Sequence, residues 1–227
     1  MNWAWLLIPA TYFLASISFA YWAGRLNGID LRSHGSGNLG ATNAGRVLGI
    51  KWFLIVFACD VLKSLVPITI AKWLVVHGAN PYLPMLVAVA ALIGHSFTCF
   101  HRFKGGKGVA TSLGLLIGLT PIVAALSLAA WLVAWLLARY VWRMGAAASV
   151  SPASLVSAVA VPATRFLTCP HPLALNELPI TVFYVLIDIL VMYRHRSNIR
   201  QLLGHRALAP PASGGADAPG QVPVKAP

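Results

Sequence analysis

Between Trp3 and Tyr193 the chain is a succession of apolar runs long enough to cross a bilayer, and this restricts its fold more than any other feature. Residues 3–23 form a run of 21 without a charge, and at 1.5 Å per residue a helix of that length covers the ~30 Å hydrocarbon core. Residues 52–76 read as a second span despite Asp60, Lys63 and Lys72, and residues 82–100 as a third. The 30 uncharged residues 109–138 are too many for one crossing and too few for two full ones; Gly118-Leu119-Thr120-Pro121 breaks them. Residues 147–163, rich in the small side chains that line helix–helix contacts, and 178–193, carrying Asp188, complete seven. With 58% hydrophobic and 10% charged residues, an ordinary water-soluble globule is excluded. The first run lacks the basic start and cleavage site of a signal peptide, so it reads as part of the mature protein.

Charge placement gives the orientation. Segments 24–51, 101–107, 139–143 and 194–227 hold 14 of the 17 Lys and Arg residues. By the positive-inside bias these segments are cytoplasmic, with the 118–121 break a turn on the outer side. The reading is an all-α integral membrane protein of seven transmembrane helices, N-terminus outside and C-terminus cytoplasmic. Residues 1–206 form the membrane domain, and 207–227, rich in Pro, Ala and Gly, a disordered cytoplasmic tail. The net charge of +12 follows from topology-setting loops and only five acids, which argues against a nucleic-acid partner. Cys59, Cys99 and Cys169 lie far apart without C-x-x-C spacing and read as buried free thiols. Asp60, Lys63 and Asp188 read as a structural intramembrane polar network.

The first cytoplasmic loop contains "GSGNLGATNAGR", residues 35–46, whose first six residues spell the dinucleotide fingerprint G-x-G-x-x-G. That motif needs a strand before it and a ribose-binding acid after it. Here a membrane helix precedes it, and the candidate acid, Asp60, lies inside the next span with Lys63 a helix turn away. What remains is a glycine loop able to aim backbone N–H groups at an anion, with Ser36, Asn38, Thr42 and Asn43 as neutral donors, bracketed by Arg32 and Arg46. The second loop, "GHSFTCFHRFKGGKGVATSLG" at 94–114, repeats this chemistry: Lys104, Gly105, Gly106, Lys107 and Gly108 run into a helix N-terminus where a phosphate fits. It is not a nucleotide P-loop, since Gly108 and not Ser or Thr follows Lys107. From Gly108 to the break is about ten residues, or ~15 Å of helix, so the loop must dip into the membrane from the cytoplasmic face. Lysines at that depth must line a polar cavity, a place suited to a phosphate joined to an acyl chain. A third cluster, "YRHRSNIRQLLGHR" at 193–206, puts His195 and Asn198 three apart, on one side if the helix continues.

"GSGNLGATNAGR", "GHSFTCFHRFKGGKGVAT" and "HRSNI", in this order and in alternate loops, resemble the three signature motifs of the bacterial acyl-phosphate:glycerol-3-phosphate acyltransferase family, PlsY. The resemblance covers about residues 2–203. It implies transfer of a fatty acyl group from acyl phosphate to the 1-hydroxyl of sn-glycerol 3-phosphate, giving lysophosphatidic acid and phosphate for phospholipid synthesis. Neither cofactor nor metal is implied. The implied setting is the bacterial inner membrane with the site facing the cytoplasm, membrane lipid around it, and functional coupling to the enzyme that makes acyl phosphate. Ser36, Gly37, Asn38 and Arg46 match the first motif, Lys104 to Lys107 the phosphate loop, and His195 and Asn198 the third. "SPASLVSAVAVP" at 151–162 resembles the family's S-x-x-S stretch and adds Ser151. The family pattern implies that Arg46, Lys107, Ser151, His195 and Asn198 hold glycerol phosphate while the Gly105 and Gly106 amides cradle acyl phosphate. Three departures stand out: Thr98 where the second motif usually has Pro, Ala148 in place of an arginine, and Gln201 with no acid following it before Asp217.

Other transfer chemistries are missing. No histidine stands five residues before any aspartate, so a His-Asp acyltransferase pair is absent, as is a G-x-S-x-G elbow. The cytoplasmic loops offer Asp30 alone before the tail as a carboxylate metal ligand. Direct transfer fits best, with cations aligning hydroxyl against carbonyl, the leaving phosphate collecting the proton, and His195 serving as a neutral hydrogen-bond donor in preference to a general base. The rival from another class is a membrane transporter of an organophosphate anion, against which stand the lack of internal duplication and the gathering of all three clusters on one side.

Overall fold

The computed structural model describes residues 2–204; the tail expected at 207–227 and the end of the domain expected at 206 lie outside them. The secondary structure of the described residues is helical, without strands. The helices are α1 (Leu7–Ser16), α2 (Phe19–Leu26), α3 (Ala41–Leu48), α4 (Ile50–Val76), α5 (Leu83–Ser96), α6 (Val109–Leu119), α7 (Pro121–Leu136), α8 (Ala146–Thr168), α9 (Leu178–Arg194) and α10 (Arg196–Leu202). Five stretches are long and apolar enough to cross a membrane: Trp3–Leu26, Ile50–Val76, Leu83–His101, Pro121–Val141 and Ala146–Thr168. Leu178–Arg194 makes a sixth when the short helix after it is counted with it. The 11-residue α6 is apolar but short; it spans about 16 Å, half the hydrocarbon core.

The chain divides into a unit of residues 1–196 and a second of 197–227. In the first, α1 packs on α5, α4 on α5 and α6, and α8 on α7 and α9. Its core is apolar, with Ile68, Leu83, Val87, Leu115, Val123, Tyr184 and Ile187 almost wholly buried, while Leu54, Leu62, Val66 and Trp73 face outward from α4, as lipid contact requires. Small residues bring backbones together: a Cβ at Gly94 would strike the Tyr12 carbonyl on α1, and one at Gly114 the Val61 carbonyl on α4.

Two membrane helices are broken, and each break is capped by a lysine from α4. The first span is interrupted at Ile17 and Ser18, whose backbones are extended; Lys63 Nζ donates at 3.1 Å to the Ile17 carbonyl freed by the break, and Thr98 Oγ1 at 2.7 Å to that of Ser16. Pro121 stops α6 as expected, and Lys72 Nζ donates to Gly118 O at 3.0 Å. Both cations sit where helix C-termini carry partial negative charge and unpaired carbonyls, which cannot face lipid. The expected polar network is therefore redrawn: Asp60 pairs with Lys63 at 2.7 Å and lies 3.7 Å from His95 Nδ1, whereas Asp188 has a buried carboxylate oxygen without a hydrogen-bond partner. The cysteines are free as expected but only half-buried.

Candidate active site

The first loop is folded onto α3 by Asn43. Gly35 and Gly37 adopt positive φ, 62° and 68°, a conformation that costs glycine little. Their turn lets Ser36 N–H donate to Asn43 Oδ1 at 2.7 Å, while Asn43 Nδ2 donates to the Leu31 and His34 carbonyls, each at 3.1 Å. Asn43 is 1% exposed. It was expected to face substrate; its amide is instead spent on holding the loop, because a buried amide must satisfy both ends. The Ser36 residue stays exposed, Asn38 and Thr42 are half-buried, and Arg46 projects from the last turn of α3. Asp30 is held well below the usual carboxylate range by its hydrogen bonds to Arg32 and does not enter the cluster of cations.

The second loop is more constrained. Thr98, standing where a proline is expected, caps the turn at Cys99–His101 by accepting from Phe100 N–H. Arg102 and Phe103 follow at φ 52° and 59°, strained values for side-chain-bearing residues of the kind that gather at functional sites. Gly105 N–H then donates to Ser96 O and Gly106 N–H to His95 O, both at 3.1 Å. This corrects the expectation that these two amides cradle a phosphate: they are committed to the end of α5. Glycine is needed here because a Cβ at Gly105 would collide with the His95 carbonyl and one at Gly106 with the His95 ring. Gly108 takes φ 87° and starts α6, so the helix's first-turn amides and positive end are presented directly after Lys107. Lys104 is exposed.

Lys107 is half-buried, and burial with the neighbouring Arg46 and Arg194 pulls its pKa down to about 8. Arg46 from the first loop and Arg194 from the end of α9 are thus both close enough to Lys107 to disfavour its charge. His195 joins them: it is 3% exposed, and burial pushes it down to about 4, with Lys107 and Arg194 acting in the same sense against the Val191 carbonyl. Its Nδ1 lies 2.8 Å from Val191 O. A carbonyl can only accept, so Nδ1 carries the hydrogen and Nε2 of the neutral ring is an acceptor. The expected donor is therefore an acceptor in this geometry. α3 also packs against α8, whose first turns hold Ser151, with a buried hydroxyl lacking a partner. Helix α9 ends at Arg194 and His195 is non-helical, so the continuous helix expected through Asn198 is interrupted; Asn198 lies in α10, in the second unit.

Two residues passed over in the sequence reading belong to this region. His95 supports both glycines, and its place in the "GHS" run at the start of the second motif is the available signal. Arg194 donates to the Gly105 and Gly106 carbonyls; in sequence it looked like one more topology anchor. Among the described residues no group of three or more His, Cys, Asp or Glu is arranged to hold a metal ion.

Comparison with known proteins follows the same outline. A family model described as glycerol-3-phosphate acyltransferase matches residues 5–205. The chain is 40% identical over 207 residues to the glycerol-3-phosphate acyltransferase of Pseudomonas syringae pv. tomato, covering 89% of this chain and 95% of that protein. It is 38% identical over 205 residues to that of Aquifex aeolicus, covering 89% and 97%. A crystal structure of PlsY (YgiH), an integral membrane glycerol 3-phosphate acyltransferase in its glycerol 3-phosphate form, superposes with TM-score 0.76 at 36% identity, covering 89% of this chain and 93% of that one. The lysophosphatidic acid form gives 0.73 at 35% identity.

Proposed function

Given that this chain belongs to the glycerol-3-phosphate acyltransferase family, we propose that it moves a fatty acyl group from acyl phosphate to the 1-hydroxyl of sn-glycerol 3-phosphate. The observation that carries this reading is the approach of Arg46, Lys107 and Arg194, from three separate segments, beside a neutral His195 at the start of a half-length membrane helix. Such a cluster is costly until anions fill it. A half-span sets it below the interface, where a phosphate can sit with an acyl chain in hydrocarbon.

Arg46, Lys107 and the first-turn amides of α6 take the two phosphates, with Ser36, Gly37, Asn38, Thr42 and Lys104 along the mouth and the partnerless Ser151 hydroxyl as a further contact. Asn198 is assigned to glycerol phosphate on the family pattern alone. The glycerol oxygen forms a bond to the acyl carbonyl carbon, the bond from that carbon to the phosphate oxygen breaks, and the departing phosphate takes the hydroxyl proton. With a pKa near 4, His195 is too weak a base to hold that proton; its Nε2 instead accepts a hydrogen bond from the hydroxyl and aims the oxygen. Alignment of this kind contributes several kcal/mol of barrier lowering. No cofactor or metal is required.

The topology we assign counts seven crossings, with α6 the short fourth, N-terminus outside and C-terminus inside. The basic loops and the site then face the cytoplasm of the bacterial inner membrane. Activity is assigned to residues 1–206, with 207–227 outside the family match. A donor lost quickly to water favours functional coupling to the enzyme that makes it. The test is purified protein in detergent with glycerol 3-phosphate and acyl phosphate, acyl-CoA or acyl-carrier protein. Lysophosphatidic acid and phosphate from acyl phosphate alone are expected. Turnover of another donor removes the donor assignment, and no product with any of them favours an organophosphate transporter.

A further inference from the structure

The glycine pair at the centre of the second loop poses a physical problem. Gly105 and Gly106 are required by the closeness of His95, yet a glycine–glycine peptide rotates more easily than any other. If the peptide between Gly106 and Lys107 turned over, it would present a carbonyl oxygen to the anion and swing Lys107 out of place. Something outside the glycines must fix the peptide planes.

Arg194 is placed to do this. Its Nη2 donates to Gly105 O at 2.6 Å and to Gly106 O at 2.9 Å, and its Nε donates to Gly106 O at 3.1 Å. The guanidinium carbon lies 5.5 Å from the centroid of the Phe97 ring, which steadies it from one face. The amides of the same two glycines are bonded to Ser96 O and His95 O, so every backbone polar group of the pair is engaged. Among the described residues all peptide bonds are trans; with Gly106 O turned to the guanidinium, the Lys107 N–H points the opposite way. A planar fork with several donors can engage two successive carbonyls, which a single ammonium cannot do with the same geometry.

We infer that Arg194 is a positioning residue for the acyl transfer: its guanidinium clamps the Gly105 and Gly106 carbonyls, holding them away from the phosphate and setting the direction of Lys107. It acts through the loop and not on the substrate. Because it directly precedes His195, one helix end sets both the lysine and the histidine. The inference rests on the reading that the 104–108 loop holds a phosphate.

The experiment compares Arg194→Lys, Arg194→Ala, Lys107→Ala and the control Arg196→Ala, purified in detergent and assayed with acyl phosphate and glycerol 3-phosphate, with and without millimolar methylguanidinium. Misplacing a reacting group by about 1 Å costs roughly a hundredfold, so both Arg194 variants are expected to lose on the order of 10²-fold in kcat, with melting temperature and Arg196→Ala activity unchanged. Methylguanidinium should restore about tenfold to Arg194→Ala and nothing to Arg194→Lys or Lys107→Ala. Full turnover in Arg194→Lys overturns the clamp, since charge alone then suffices. A stable but inactive Arg194→Ala that ignores methylguanidinium overturns it too. Should Arg194→Ala fail to fold, Arg194→Lys decides. Lys107→Ala at wild-type turnover would instead remove the phosphate-loop reading, and the clamp with it.

Discussion

The lowered pKa of Lys107 allows the electrostatic basis of the site to be tested by pH alone. An ordinary lysine stays charged past pH 10; Lys107, half-buried beside Arg46 and Arg194, titrates at about 8. In the free enzyme roughly nine-tenths of Lys107 is then charged at pH 7 and roughly a tenth at pH 9. If the charged form binds the phosphates, kcat/KM falls above pH 8 by about tenfold per unit, and Lys107→Arg, whose charge does not titrate, flattens that limb even if its plateau is lower. Stability runs the other way. Between pH 8 and the unfolded lysine's value of about 10.5 the unfolded chain binds more protons at this position than the folded one, so the Lys107 contribution to stability rises with pH. Loss of activity over that window cannot then be blamed on unfolding at this residue. The assay is initial-rate kinetics in detergent from pH 6 to 10, with melting temperatures across the same range. A kcat/KM that stays level to pH 10, or an alkaline limb that survives unchanged in Lys107→Arg, refutes the assignment.

Binding of a phosphate dianion should return the proton to Lys107, so titrating glycerol 3-phosphate at pH 8 in buffers of different ionisation enthalpy should reveal an uptake of about half a proton per site, absent from Lys107→Arg. Gly105→Ala drives a methyl group into the His95 carbonyl, a backbone atom that cannot step aside; a loop displaced by about 1 Å predicts roughly a hundredfold loss of kcat, while Gly145→Ala, with open space around it, should match wild type. Asp60→Asn leaves the Lys63 ammonium buried without its counter-charge. Breaking such a pair costs about 3–5 kcal/mol, which should appear as a fall of about 10 °C in melting temperature; Asp60→Asn with unchanged melting would remove the structural reading of this pair.

Much of the helical layout is visible in the sequence because lipid imposes a simple rule: uncharged length makes a helix, and Pro121 marks the end of α6 since it supplies neither an amide hydrogen nor room for the helix to continue. The loops are visible as glycine-rich and basic for the same kind of reason. What composition does not reveal is how each polar group is used. Glycines at 105 and 106 look free to offer their amides, but a carbonyl nine or eleven residues back, at Ser96 or His95, takes each one first. Asn43 looks like a donor toward a ligand until its two amide ends are traced to Ser36, Leu31 and His34. Lys63 and Lys72 look like isolated liabilities, because each carbonyl they cap lies 46 residues away along the chain. His195 shows its ring in the sequence, but its tautomer is fixed only by the Val191 carbonyl one turn back.

These uses of polar groups share one physical cause. A membrane protein that binds anions below the interface must break helices to bring backbone and cations to that depth, and each break frees carbonyls that lipid will not solvate. Here the second span supplies the remedy: Lys63 caps the break in the first span, Lys72 caps the half-helix, and Asp60 offsets the Lys63 charge while lying beside His95, the residue on which the glycine pair rests. At Lys107 the balance is struck differently: burial together with the neighbouring Arg46 and Arg194 lowers its pKa and so its charge. On the proposed function, crowding of like charge around Lys107 is relieved when two phosphates bind, and it returns when the products, lysophosphatidic acid and phosphate, depart. On that proposal the arrangement favours binding of both phosphorylated reactants together over either one alone, the state from which direct transfer would proceed.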